Sequence, residues 1–101
     1  FVSGIGSATG TGDTAVIAAP GAGLRLFIES VTVTNADAAV DTNVILKSAS
    51  TERHRLPAPL SSGSVWTPRR PLICAANEAF NFASAGAATT MYVSATGHID
   101  V

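Results

Sequence analysis

The densest group of reactive side chains lies at residues 51–55, "TERHR". On a strand, side chains alternate, so Glu52 and His54 point to one face and Arg53 and Arg55 to the other. A carboxylate beside an imidazole could exchange protons with a substrate, and the arginines could bind an anionic glycan. No second carboxylate, serine motif or metal triad accompanies them. We therefore predict no enzyme, no metal and no cofactor, and interpret the segment as a charged edge strand or a polar contact to a neighbouring subunit.

The glycine-rich bend "PGAG" at residues 20–23 has the composition of a phosphate-binding loop. A P-loop needs Lys and then Ser or Thr after its last glycine, and a helix must follow. Here Gly23 is followed by "LRLFI", which is typical of a strand. The bend is therefore predicted to be a tight turn between antiparallel strands, with Pro20 and Gly21 at its two central positions.

A second cationic group stands in "WTPRRP", where prolines flank Arg69 and Arg70. Proline stiffens the loop, so the arginines are presented for bidentate pairing with carboxylates across a subunit interface. Trp66 and Tyr92 could together stack on a sugar, although both side chains also suit the rim of a sandwich or an interface. This region is therefore a candidate for binding rather than for catalysis.

The charge, the hydropathy and the cysteine content exclude several classes of binding partner. The chain has six Lys and Arg against seven Asp and Glu, which leaves no basic patch and predicts no nucleic-acid partner. It has no apolar run of membrane-spanning length, which predicts no membrane partner. The single cysteine, Cys74, has no partner for an internal disulfide and is predicted to be a small buried hydrophobe.

The elements that position these residues are short apolar runs separated by turn residues every 8–12 positions, a spacing typical of all-β sandwiches and barrels. No stretch shows sustained helical spacing. We expect a single antiparallel β-sandwich, jelly-roll-like, with about eight strands and almost no helix. The predicted strands are 14–19, 24–35, 40–47, 51–57, 64–68, 71–75, 78–85 and 89–101.

The long strand changes phase part-way along. Leu26 and Ile28 share one face, whereas Val31 and Val33 have the opposite parity. A strict alternation cannot place both pairs on one side, so a bulge or bend is predicted at Glu29–Ser30. The alternative is that both faces are buried, one by the core and one by a partner.

Residues 1–12, "FVSGIGSATGTG", are rich in glycine, serine and threonine. They are predicted to form a flexible N-terminal arm, or one ordered only against a neighbour, ahead of a sandwich domain at 13–101. Nearly half of the whole chain is Ala, Gly, Ser or Thr, so its core is thin and neighbouring copies should contribute burial. The candidate interface residues are Phe1, Val2, Ile5, Arg53, Arg55, Trp66, Arg69 and Arg70.

Two segments carry a resemblance to a known family. They run from "DTAVIAAPGAGLRLFIES" through "VILKS" at 13–48, and from "PLICAANEAFNF" onward at 71–99. They resemble small β-sandwich domains of structural proteins in tailed bacteriophages. The matching residues are Thr14, Ala18, Ala19, Pro20, Gly21, Gly23, Arg25, Asn35, Lys47, Pro71, Leu72, Asn77, Glu78, Ala79, Asn81 and Tyr92.

The resemblance implies a non-enzymatic virion protein at the capsid surface. Such domains serve as head decoration or cement proteins and as modules of head or tail fibres, often as trimers. The expected partners are other copies of the chain, as a homotrimer, and the major capsid protein. The absence of a long fibre-like segment favours decoration over a fibre. The alternative is a receptor- or carbohydrate-binding module of a phage head or tail fibre.

Overall fold

A computed structural model describes residues 1–8, 11–37, 42–58, 62–86 and 90–101. These residues form strands and no helix, which confirms the predicted all-β class. The starts predicted for two strands, at 40–41 and at 89, lie outside the described residues. The strands are β1 (Val2–Ala8), β2 (Thr14–Ile17), β3 (Arg25–Asn35), β4 (Thr42–Ser48), β5 (Thr51–Ala58), β6 (Ser62–Trp66), β7 (Leu72–Ile73), β8 (Phe80–Ser84) and β9 (Met91–Asp100).

The strands form two antiparallel sheets that pack as a sandwich. Sheet A has the order β1-β9-β3-β6, with the short β7 also paired to β3, and sheet B has the order β2-β8-β4-β5. The first strand pairs with the last, β2 with β8, β3 with β6, and β4 with β5. One long antiparallel hairpin is thus wrapped so that successive pairs fall in alternate sheets. This is the jelly-roll arrangement.

The core lies between the sheets and contains the inward-facing side chains of both. Each large apolar side chain buried there contributes about 1.5–3 kcal/mol of transfer free energy. Cys74 is only 1% exposed, which confirms it as a buried residue, and burial raises the pKa of its thiol. The largest fully buried side chains are Phe80, Phe82, Leu26, Ile28, Leu46 and Met91.

The phase change in β3 is confirmed as a bulge. The register between β3 and β9 shifts between Ile28 and Ser30, so Glu29 is the extra residue. Because of this shift, Ile28 before the bulge and Val31 after it both face the core, and both are fully buried. The bulge therefore allows one long strand to cover the core along its whole length.

The N-terminal segment is where the prediction was wrong. Residues Val2–Ala8 form β1 and pair along β9 of the same chain, instead of a flexible arm. A Cβ added to Gly4 would collide with the carbonyl oxygen of Val16, and one added to Gly6 would lie 2.9 Å from the carbonyl oxygen of Ala15. The glycines therefore serve the close approach of β1 to β2, where the two sheets meet, rather than flexibility.

The "PGAG" bend is a turn, as predicted, but it joins sheet B to sheet A instead of two paired strands, and the turn lies further along the chain. The Leu24 N–H donates to the Gly21 carbonyl at 3.1 Å, and Gly23 has a φ of 77°. Gly23 thus holds the third position of a type II-like turn, so the expected placement of Pro20 and Gly21 as its centre is wrong. Asn77 fixes the corner, since its Oδ1 accepts from the Gly21 N–H at 3.0 Å.

Candidate functional site

Strand β5 carries the charged group that the sequence singled out, and it lies at the edge of sheet B, as predicted. The register between β4 and β5 shifts so that Lys47 is opposite Glu52 and Leu46 is opposite His54. Arg53 is therefore the extra residue of a bulge. The expected pairing of Glu52 with His54 on one face is wrong, because the bulge reverses the alternation between them.

Glu52 is instead paired with Arg55. The Arg55 Nε donates to Oε2 of Glu52 at 2.7 Å, and its Nη2 donates to Oε1 at 3.0 Å. This hydrogen bonding lowers the pKa of the Glu52 carboxyl and raises the pKa of the Arg55 guanidinium. An exposed, bidentate ion pair of this kind keeps the carboxylate charged and occupies both of its oxygens. This arrangement is typical of a solvated sheet edge and not of a group that transfers protons.

His54 points between the sheets and stacks on Trp66, with ring centroids 4.3 Å apart and an interplanar angle of 14°. Trp66 is opposite the buried Val31, so it also faces inward and packs against the core. Tyr92 is opposite Thr34, an exposed residue, and lies on the outer face of sheet A. The two rings are therefore on opposite faces of the sheet, and they do not form the shared sugar platform that the sequence allowed.

The remaining candidate interface residues are scattered. Val2 is half-buried and packs against the core of its own chain. Arg69 and Arg70 are exposed in the bend between β6 and β7. Phe1 is 92% exposed and Ile5 is 76% exposed, and both belong to the β1 edge of sheet A. The structure thus places Phe1, Val2 and Ile5 at the β1 edge and the other members of the set elsewhere.

The polar residues that carry the resemblance hold loops in place. The Ser48 hydroxyl donates to Oε1 of Glu78 at 2.6 Å and accepts from the Ala75 N–H at 2.9 Å. The Asn81 side chain donates to the Ala49 carbonyl at 2.9 Å. Asn35, fully buried in β3, likewise donates to the Ala58 carbonyl of β5 and so joins the two sheets. These side chains are structural, so the resemblance reflects fold rather than a ligand site.

Part of the outer face of sheet A is a neutral surface. Three successive cross-strand rows carry no charged side chain, and hydroxyls separate the apolar groups. Ile5 is 76%, Val65 69% and Tyr92 46% exposed on it. We call this surface the neutral face; its rows are Ser7–Tyr92–Thr34–Gly63, Ile5–Ser94–Thr32–Val65 and Ser3–Thr96–Ser30.

The outer face of sheet B differs in charge. Lys47 donates to Asp13 at 2.8 Å, and Arg55 is bound to Glu52, so this side carries charged side chains that are paired within the chain. Depletion of charge with an exposed tyrosine is typical of the centre of an interface, whereas paired ions are typical of a solvated surface. The neutral face is therefore the candidate interaction surface.

Beyond one end of the neutral face, sheet A has a further aromatic contact. His98 of β9 stacks on Phe27 of β3, with ring centroids 4.9 Å apart and an interplanar angle of 5°. Its Nδ1 lies 3.4 Å from Oε2 of Glu29, the bulge residue. Ile73 of β7 is opposite Phe27 and is 45% exposed. Sequence reasoning missed this group because the strands that bring it together are far apart in the chain.

Other kinds of site are not found in the described ranges. No three His, Cys, Asp or Glu side chains of the described residues come together as metal ligands. No cavity is found among them. Nor do these ranges contain a helix long and apolar enough to cross a membrane.

No protein-family model matches the chain, and no curated protein matches it. Among solved structures, the fold is similar to that in the cryo-EM structure of the giant freshwater prawn Macrobrachium rosenbergii extra small virus (XSV) VLP. The sequences are 13% identical, the TM-score is 0.46, and the match covers 97% of this chain and 76% of that chain. A similarity of this size leaves the function to be inferred from the chain's own residues.

Proposed function

We propose that the chain is a non-enzymatic structural protein of a virion, a decoration or cement subunit that stabilises the head from the capsid surface. Its partners on this proposal are the major capsid protein and other copies of itself, as a homotrimer. The observation that carries the proposal is the neutral face, which combines exposed apolar side chains with hydroxyls and lacks charge.

The chemistry of the neutral face suits burial against another protein. Removing a charged group from water without a partner is expensive, and the three rows carry no such group. Thr32 and Ser94 lie in the central row between Ile5 and Val65, so hydroxyls are available for hydrogen bonds among the apolar contacts. A partner can thus cover this surface at a small desolvation cost.

The fold and the resemblance both support the capsid role, by analogy. Jelly rolls occur in viral capsid proteins, lectins and cupins, so the fold alone leaves several functions open. A lectin-like role would need a stacking platform, and the two aromatic residues proposed for it, Trp66 and Tyr92, face opposite sides of sheet A. The resemblance to phage sandwich domains then favours the capsid role.

The proposal is tested by adding the purified protein to capsid shells that lack it and measuring what sediments with them. Thr32→Glu places a charge at the centre of the neutral face, where Thr32 is exposed. Asn43→Glu is the matched control, because Asn43 is exposed on a strand of sheet B. We expect Thr32→Glu to abolish co-sedimentation and Asn43→Glu to retain it.

Two results would contradict the proposal. One is wild-type protein that does not bind shells; the other is equal binding by Thr32→Glu and wild type. A glycan array tests the alternative directly. If the wild type binds a glycan and Tyr92→Ala, a change on the exposed outer face, loses that binding, the receptor-binding role replaces the one proposed. Sedimentation at micromolar concentration tests the homotrimer separately.

A further inference from the structure

Strand β1 is the edge of the sandwich with the least protection against strand addition. Natural sheet edges are usually blocked by charge, proline, bulges or short length. In β5 the block consists of a bulge, the Glu52–Arg55 pair and Pro57. The other edge strands, β2, β6 and β7, are short, with four, five and two residues, and the register of β2 is irregular. β1 has seven residues with regular pairing and contains neither charge nor proline.

The backbone groups on the free side of β1 follow from the register. The Ala36 N–H donates to the Thr90 carbonyl at 3.0 Å, so Thr90 and every second residue after it point their backbone groups toward β3. The residues between them, such as Val93, point toward β1. Because Val93 is opposite Gly6, the even-numbered residues of β1 bond to β9. The odd-numbered residues direct their N–H and C=O groups to the free edge; they are Ser3, Ile5 and Ser7.

The free edge is also open to solvent. Ser3, Ile5 and Ser7 are all exposed, and within the described residues β1 pairs with β9 alone. Phe1, next to the start of the strand, is 92% exposed. The edge thus presents a regular series of backbone donors and acceptors beside exposed apolar groups. Such a series is a template for another extended strand.

We propose that a second copy of this chain binds this edge, with the two β1 strands antiparallel about a two-fold axis at Ile5. Ile5 is the middle residue of Val2–Ala8, so the pairing is self-complementary. Ile5 meets Ile5 of the partner subunit, and Ser3 meets Ser7 of the partner subunit. Gly4 is then opposite Gly6 of the partner subunit. Sheet A of each subunit continues into that of the other, and no edge is left at the junction.

The charge of the edge favours a second copy over a different protein. A strand without charged residues offers no pattern that would select an unlike partner, and it does not repel its own copy. The two-fold arrangement also places each residue opposite one of the same class, which is the requirement of an isologous contact. The strand of a different protein would not be matched to β1 by symmetry in this way.

The size of the contact sets its strength. Seven residues span ~24 Å, and a single strand pair buries on the order of several hundred Å², below the roughly 1,200 Å² of a standard stable interface. We therefore expect a dissociation constant on the order of 10–1,000 µM in solution. On a surface that already holds many copies, the same contact is strengthened by the high local concentration.

This contact differs from the function proposed above, because it is made by backbone groups in the plane of sheet A, whereas the neutral face binds through side chains that point out of that plane; Ile5 is the residue that the two surfaces share. It is also compatible with a three-fold contact elsewhere, in which case the assembled species is a hexamer with both axes. Failure of shell binding would thus leave the two-fold pairing untouched, and the reverse also holds.

The first test is sedimentation of the wild-type chain at about 1 mM, near the upper end of the expected dissociation range, beside Ile5→Lys and Val65→Lys. Both residues are highly exposed and lie in one row of the neutral face, but Val65 is on the opposite edge of the sheet. A lysine at the two-fold axis faces its own copy, so Ile5→Lys should raise the dissociation constant at least about tenfold. Val65→Lys should leave it unchanged.

The second test uses cross-linking and keeps the wild-type core. Chains carrying Ser3→Cys and chains carrying Ser7→Cys are mixed under mild oxidation; the native Cys74 is buried and does not take part. Antiparallel pairing about Ile5 places these two positions opposite each other, within the Cα separation that a disulfide spans. Mixed disulfide dimers should exceed those from either variant alone at least about tenfold.

Each combination of results decides for or against the pairing of the two β1 strands. Loss of association by Ile5→Lys alone, together with the mixed cross-link, supports the pairing. Equal loss in Val65→Lys means that the neutral face, and not the edge, joins the copies, and overturns it. A monomeric wild type at the highest concentration overturns it as well. If Ile5→Lys fails to fold, the cross-link decides, and its absence counts against the proposal.

Discussion

Gly4→Ala tests whether β1 is an integral strand of the sandwich. The added Cβ would overlap the Val16 carbonyl oxygen, lie 2.9 Å from the Val16 carbonyl carbon and 3.1 Å from Cγ1 of Ile17. Because the closest atoms are backbone, no side-chain rotation relieves the overlap. Overpacking of this kind costs about 1–3 kcal/mol, and the conformational gain from replacing glycine by alanine offsets about 0.5–1 kcal/mol of it.

The overlap with backbone atoms puts the cost at the upper end of that range, so the net destabilisation is about 2–2.5 kcal/mol, which lowers Tm by about 8–20 °C in a domain of this size. Gly12→Ala is the control, because nothing lies within 4 Å of the Cβ it would add. Its Tm should stay the same or rise slightly. Thermal unfolding by circular dichroism measures both variants. Equal Tm values for the two would refute the view that β1 packs against β2.

Further predictions concern the core, a buried polar contact and an exposed ion pair. Phe82→Ala removes a fully buried ring and should lower the free energy of unfolding by about 3–5 kcal/mol in urea titrations. Ser48→Ala deprives Glu78 of its 2.6 Å hydrogen bond and should cost about 1–3 kcal/mol by the same measurement. Arg55 lowers the pKa of Glu52, so the pair's contribution to stability is present above the unfolded-state pKa of Glu52 and is lost as pH falls through its lower folded-state pKa. Arg55→Gln should therefore raise the pKa of Glu52 toward its ordinary value in an NMR titration, with no measurable change in Tm at pH 7.

The fold was predictable because its signals are local. Short apolar runs between turn residues, and for β5 a polar segment ended by prolines, identified the strands from β2 to β9 with small errors at the ends. The parity change between Ile28 and Val31 located the bulge at Glu29, since strict alternation allows no other way to bury both. Turn chemistry likewise identified the corner at residues 20–23, although the type II turn begins at Gly21.

The site was less predictable because it depends on which strands become neighbours. In the sequence, Gly4 and Gly6 indicate a flexible segment. Only the nearby carbonyl groups of β2 show that these glycines are needed for the close approach of β1 to β2. The bulge at Arg53, which separates Glu52 from His54, has no signal in the alternation of β5 itself. The neutral face joins residues from four strands, so no single segment could reveal it.

The same long-range register explains why the aromatic residues were misjudged. Trp66 and Tyr92 both stand in strands of sheet A, and composition alone made them a plausible pair. Their faces are decided by their partners, buried Val31 for one and exposed Thr34 for the other. The topology determines which strands pair, and the register of that pairing determines the face of sheet A on which each ring lies.

The most direct test of the proposed capsid role is the copy number of this chain in purified particles of the virus that, on this proposal, encodes it. Quantitative mass spectrometry would compare its peptides with those of the major capsid protein. The proposed role predicts a fixed ratio with many copies spread over the shell. A handful of copies per particle, or none, would contradict it.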